Sequence, residues 1–222
     1  MHFEVPKSKS LREFGGEYLM IVISIATALA LEHLVQTQHH KQLAQEAAER
    51  MQVELRSTLT EVDQVVAHNK AQIDIANALR EDVLKDIEAK VPELKAMQKF
   101  HDAAKGTFTV SLHIPSYKHE AWDVAVANQS ASWLKPAELQ RYSSAYGAIH
   151  DSQQLSSVGM NFAGGPEMLK TLSDLEMHSA TPRDVYYLLK RLVFSYEQIN
   201  GSLADLREKL VKAVPPAEAV KS

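Results

Sequence analysis

The chain contains no cysteine. That single absence excludes disulfides, thiolate metal sites, iron–sulfur clusters and cysteine nucleophiles. It leaves the compartment open, because an oxidising compartment permits disulfides without requiring them. Glycine and proline are scarce, eight of each in 222 residues, and neither occurs between Glu17 and Val91. A stretch without turn residues, rich in Ala, Leu, Glu, Gln, Lys and Arg, reads as uninterrupted helix. A basic excess is also missing: 24 Lys and Arg stand against 28 Asp and Glu, for a net charge of −4. Nucleic-acid binding through bulk phosphate neutralisation is therefore disfavoured. The motifs G-x-S-x-G, G-x-G-x-x-G, H-E-x-x-H and the P-loop do not occur. What is present, 45% hydrophobic and 23% charged residues, is the composition of a folding chain.

The first positive feature is the run YLMIVISIATALAL from Tyr18 to Leu31, which carries no charge. A helix of that length spans ~21 Å, less than the ~30 Å hydrocarbon core of a bilayer. Counted from Phe14 to Val35, the helix reaches ~33 Å, which suffices. Glu17 and Tyr18 then fall near one membrane interface, and Glu32 and His33 near the other. Polar groups cost far less there than at the midplane. Two alternatives fit the same run. One is a cleaved signal peptide, with Lys7, Lys9 and Arg12 ahead of it and Ala-x-Ala at Ala26–Ala28 and Ala28–Ala30. The other is a helix buried in a soluble core. Orientation follows from Lys7, Lys9 and Arg12 against Lys41 and Arg50, which favours a cytoplasmic N-terminus. In a Gram-negative cell the bulk of the chain would then be periplasmic.

Beyond the apolar run, steps of four and three from Leu55 reach Leu59, Val62, Val66, Asn69, Ile73, Ala76, Arg80, Val83, Ile87, Lys90 and Leu94. Only Asn69, Arg80 and Lys90 in this series are polar, so it forms a heptad-like seam. The seam serves equally well in an intermolecular coiled coil or in a bundle within one chain. Pro92 kinks or restarts the helix, and Gly106 stops it. Phe108-Thr109-Val110-Ser111-Leu112-His113-Ile114 alternates apolar and polar residues, which predicts a short isolated strand over 108–114. Its apolar side, Phe108, Val110, Leu112 and Ile114, would suit strand pairing with another chain. Pro136 begins a helix with Leu139, Tyr142, Tyr146 and Ile149 on one face, and Gly164-Gly165-Pro166 begins another. Thr181-Pro182-Arg183-Asp184 is a helix start with Thr at the N-cap. The last helix, 182–213, carries Val185, Leu189, Leu192, Tyr196, Ile199, Leu203, Leu206 and Leu210 at unbroken 4-3 spacing.

The predicted fold is mainly α. A transmembrane helix continues into a long helix, which packs with the C-terminal helix in an antiparallel bundle. The organisation reads as a cytoplasmic flank (1–13), a membrane helix (14–35), a stalk kinked at Pro92 (36–106), a helical domain (107–214) and a frayed tail (215–222).

Two stretches carry a resemblance. LREFGGEYLMIVISIATALALEHLV resembles the anchor of a group of bacterial single-pass inner-membrane proteins of unknown function. AWDVAVANQSASWLKPAELQRYSSAYGAI resembles a second segment of that group, through Trp122, Ala125, Ala127, Trp133, Leu134, Leu139, Tyr142 and Tyr146. Where those proteins often carry Gly in the turn, this chain has Gln129-Ser130. The resemblance covers about residues 11–155 and implies no catalytic residues.

Chemistry is sparse. Of ten histidines, His33 and His40 lie seven residues apart and His39 points elsewhere, which is poor ligand geometry. His119-Glu120 has no second histidine four residues on. Glu17 and Glu32 could serve an ion path, but the sequence offers no second membrane helix to form one. Trp122, Trp133, Tyr142 and Tyr146 fit a core better than a pocket. The expectation is a non-enzymatic membrane-anchored structural or interaction protein, without cofactor, metal or nucleic acid. Its partners would be the lipid bilayer and either a second copy or another membrane protein. Leu189, Leu192, Tyr196, Ile199, Leu203 and Leu206 form the expected interaction seam. A periplasmic sensor or small-ligand-binding module on the same anchor is the alternative.

Overall fold

The computed structural model describes residues 11–214, and the predicted tail together with most of the predicted cytoplasmic flank lies outside them. The described residues form α1 (Leu11–Glu88), α2 (Glu93–Ala104), α3 (Glu120–Ala127), α4 (Pro136–Ala163), α5 (Pro166–Glu176) and α6 (Pro182–Ala213), with a 3-10 turn at Ser130–Trp133 between α3 and α4. α1 alone has 78 residues, about 117 Å at 1.5 Å per residue.

The two ends of α1 live in different surroundings. Every residue from Gly15 to Gln36 is exposed, and nothing else in the described chain packs on this stretch. The apolar part of α1 is long and hydrophobic enough to cross a membrane, with a mean hydropathy of 1.9 and none of it buried. It is therefore no part of this chain's own core. Between Leu19 and Leu31 the two polar side chains are internally satisfied: Ser24 donates to the Met20 carbonyl at 2.8 Å and Thr27 to the Ile23 carbonyl at 2.8 Å. Such back-bonding is what hydrocarbon demands of a hydroxyl.

From Ala44 onward α1 is one wall of a bundle. Ala44, Ala47, Met51, Leu55 and Val62 share a core with Ile199, Leu203, Leu206, Leu210 and Ala213 of α6, while Ala76, Leu79 and Val83 share one with Val185, Leu189 and Val193. Early α1 meets late α6 and late α1 meets early α6, so the pair is antiparallel, as the two 4-3 seams predict. α4 supplies Tyr142, Ala145, Tyr146 and Ile149 to the first core. It runs alongside α1 and opposite to α6, touching α6 where Ser152 donates to the Ser202 carbonyl at 3.3 Å. A Cβ on Gly159 would stand 3.1 Å from the Ile199 side chain, so this helix crossing uses the missing side chain. α6 starts as its sequence requires: Thr181 accepts from the Asp184 amide and Asp184 accepts from the Thr181 amide, a complete capping box.

Two expectations are corrected. Of the two readings of Pro92, the kink fails and the restart holds: α1 ends at Glu88, Lys90 adopts φ 53, and α2 starts directly after Pro92 and folds back on α1. Lys99 reaches Asp86 at 2.6 Å, and Phe100 packs with Leu79 and Val83. Leu94, the last residue of the predicted seam, is 85% exposed, because the helix carrying the seam has already ended.

The strand at 108–114 is also absent; no strand forms among the described residues. The segment is an extended connector laid along the bundle, with no neighbouring strand to form a ladder. Side chains of the helices take up its backbone instead. Tyr196 donates to the Ser111 carbonyl at 2.8 Å, Asn69 donates to the His113 carbonyl at 3.0 Å, and Glu61 accepts from the Ser116 amide at 3.0 Å. Alternation fails as a guide to its packing: Phe108 and Leu112 join the core, whereas Val110 and Ile114 are 40% and 37% exposed.

Candidate functional site

The residues expected to pair with other molecules divide into three groups. Glu17, Tyr18, Glu32 and His33 are all exposed on the unpacked part of α1. Glu32 accepts from Gln36 at 3.1 Å, and the His33 carbonyl accepts from Thr37 at 2.8 Å. Leu189, Leu192, Tyr196, Ile199, Leu203 and Leu206 are almost fully buried inside the chain. That seam is consumed by α1, α4 and the connector, so it is core and offers nothing to a partner. Phe108 and Leu112 are likewise spent on packing.

Polar groups inside the bundle hold it together. Glu54 accepts from the Tyr146 hydroxyl at 2.7 Å and from the Ala121 amide at 3.0 Å, tying α1, α3 and α4. Gln52 donates to the Tyr142 hydroxyl at 3.0 Å, and Trp122 stacks on Tyr146 with ring centres 5.4 Å apart. Burial first, and the Glu54 carboxylate second, push the Tyr146 hydroxyl far above the usual tyrosine range, so it stays protonated. Asn69, fully buried, also donates to Asn200 at 3.2 Å, linking α1 to α6. Among the described residues no three His, Asp or Glu side chains converge as metal ligands would.

The open surface lies on the other side of α6. Its seam faces α1, so Tyr187, Phe194, Gln198, Gly201 and Asp205, which also follow steps of seven, four, three and four, are carried to the outer face. Between this face and α5 runs a groove of about 640 Å³ with Met168 and Leu188 in its lining, edged by Lys170, Asp184, Lys190 and Arg191. A second groove, of about 380 Å³, continues between α6 and α4 past Leu155, Val158, Gly159, Glu197 and Asp205. Phe194 borders both grooves. Tyr187 is 60% exposed, Leu155 59% and Val158 67%. The Ser195 hydroxyl, buried beside the second groove, has no hydrogen-bond partner. Sequence reasoning missed this face, although Tyr187 and Phe194, seven residues apart and off the seam, were its signal.

No protein-family model matches the chain, and neither the curated proteins nor the solved structures yield a match.

Proposed function

We propose that this chain is a non-enzymatic interaction protein anchored in a bacterial inner membrane by the first part of α1. Its helical bundle stands in the periplasm and assembles with another membrane protein through the grooved outer face of α4, α5 and α6. The observation that carries this reading is the division of α1 into an apolar stretch that nothing covers, Gly15–Gln36, and a stretch committed to the bundle. The resemblance of residues 11–155 to bacterial single-pass proteins agrees with it.

The grooved face favours a helical segment of a different protein over a second copy. Its α5 end mixes Lys170, Lys190 and Arg191 with Glu167 and Asp184, Arg191 pairing with Glu167 and Lys170 with Asp174, while its other end carries the acidic Glu197 and Asp205. Two copies anchored in one membrane pair about an axis along the bundle, which sets like ends together. A partner helix with an apolar ridge and basic residues opposite Glu197 and Asp205 meets no such penalty. The test is a photocrosslinking residue at position 194 or 155 of the full chain in cells, with position 64 on exposed α1 surface as control. Adducts from 194 and 155 but not from 64 support the reading. An adduct of twice the chain mass replaces the partner by a second copy, and no adduct from either position removes the surface from consideration.

The small-ligand alternative draws on one specific observation: about 640 Å³ is an ordinary size for a ligand pocket. Its open, mainly apolar form suits a side-chain ridge better than an enclosed solute.

A further inference from the structure

Trp133 was expected in the core and is instead 49% exposed. It ends the 3-10 turn that follows α3, and its place along α1 is known from what it touches. Its indole stacks on the His40 ring, centres 3.8 Å apart and planes 6° from parallel. The chain descends α1 to reach that point: the Ala121 amide bonds to Glu54, Ala125 and Asn128 lie with Leu43 and Ala47, and the turn then comes level with His40. Packing on α1 begins only at Thr37. Among the described residues the turn is thus the part of the bundle nearest the apolar end of α1.

His40 stands five residues beyond Val35, about 8 Å along the helix axis. The headgroup layer of a bilayer extends about 5–8 Å beyond the hydrocarbon on each side. The two lengths agree. We infer that Trp133 is a second membrane contact of this protein, its ring held by His40 at headgroup depth, so that the bundle rests on the bilayer surface rather than standing off on a free stalk. The inference rests on the reading of α1 as a membrane anchor. Its chemistry suits the place: an aromatic ring with a polar N–H prefers the interface, and the stack on His40 fixes its height. Lys41 and Lys135, both exposed, are close in sequence to His40 and Trp133, and among the described residues no ion pair is seen for either. They are placed to meet lipid phosphates. Val124 and Val126, 49% and 52% exposed, are large apolar residues on the approach to the turn.

The chain has two tryptophans, and Trp122, partly buried against Tyr146, is an internal control. The full chain is reconstituted into phosphatidylcholine–phosphatidylglycerol vesicles carrying bromine either just below the headgroups or near the chain ends. In Trp122→Phe, where Trp133 is the only emitter, shallow bromine should quench strongly and deep bromine less. In Trp133→Phe, neither should quench. If Trp122→Phe fails to fold, the quenched fraction of wild-type emission, lost in Trp133→Phe, gives the same result by difference. Protein that floats with the vesicles while Trp133 emission is unaffected by bromine overturns the second contact and leaves the anchor standing. Protein that does not float with the vesicles overturns the anchor itself, and this inference with it.

Discussion

Gln129 adopts φ 63, in the left-handed region where a side chain crowds the backbone. The turn after α3 requires that conformation so that Ser130 can start the 3-10 turn, with its amide on the Asn128 side chain at 2.9 Å. Glycine takes that conformation without the crowding that a side chain brings. Gln129→Gly should therefore stabilise the bundle by up to ~1 kcal/mol, read as a raised thermal midpoint. Glu61 shows a different residue-scale effect. It holds the connector through the Ser116 amide and Lys118, and the Lys118 bond is the main cause that lowers its carboxyl pKa. A lowered folded-state pKa gives stability that is present above the ordinary value of 4.5 and is lost as pH falls through the folded value. Wild type should exceed Glu61→Gln in stability at neutral pH by no more than ~1 kcal/mol, since both charged partners are partly solvated. The difference should vanish in denaturation curves taken at acidic pH.

At the scale of elements, local pattern was legible wherever packing is periodic. The 4-3 seam of α6 and its Thr181 cap appear as read, and the seam of α1 holds from Leu55 to Val83 and extends back to Ala44. Three features were not legible. The reversal after Glu88 depends on Lys90 taking a left-handed conformation, which its residue type does not announce. The connector at 108–114 has the alternation of a strand, yet a strand also needs a neighbour, and its backbone partners come from Asn69 and Tyr196, distant in sequence. Trp133 reads as core by composition, and only the descent of α3 along α1 decides its exposure. The packing itself is testable. Leu192 and Leu203 are fully buried in different parts of the α6 seam. Leu192→Ala or Leu203→Ala should each cost ~2–5 kcal/mol, measured by denaturant unfolding. An unchanged midpoint for either would mean that its part of the seam is not buried in solution.

For the whole molecule, the proposed function has one helix serve two solvents. Between Leu19 and Leu31 its first part is apolar on every side, with the Ser24 and Thr27 hydroxyls bonded to the helix backbone. Its second part is amphipathic and paired antiparallel with α6. A helix apolar all round, left bare by its own fold, is costly in water and stable in lipid. The grooved outer face of α4, α5 and α6 is left uncovered among the described residues, because the strongest seams are already used within the chain. The most direct measurement is the partition of the full-length chain after an alkaline carbonate wash of membranes from expressing cells. The account predicts that the intact chain stays with the membrane pellet, as a spanning helix must. Release into the supernatant, whether of the whole chain or of a product lacking the first part of α1, would contradict it.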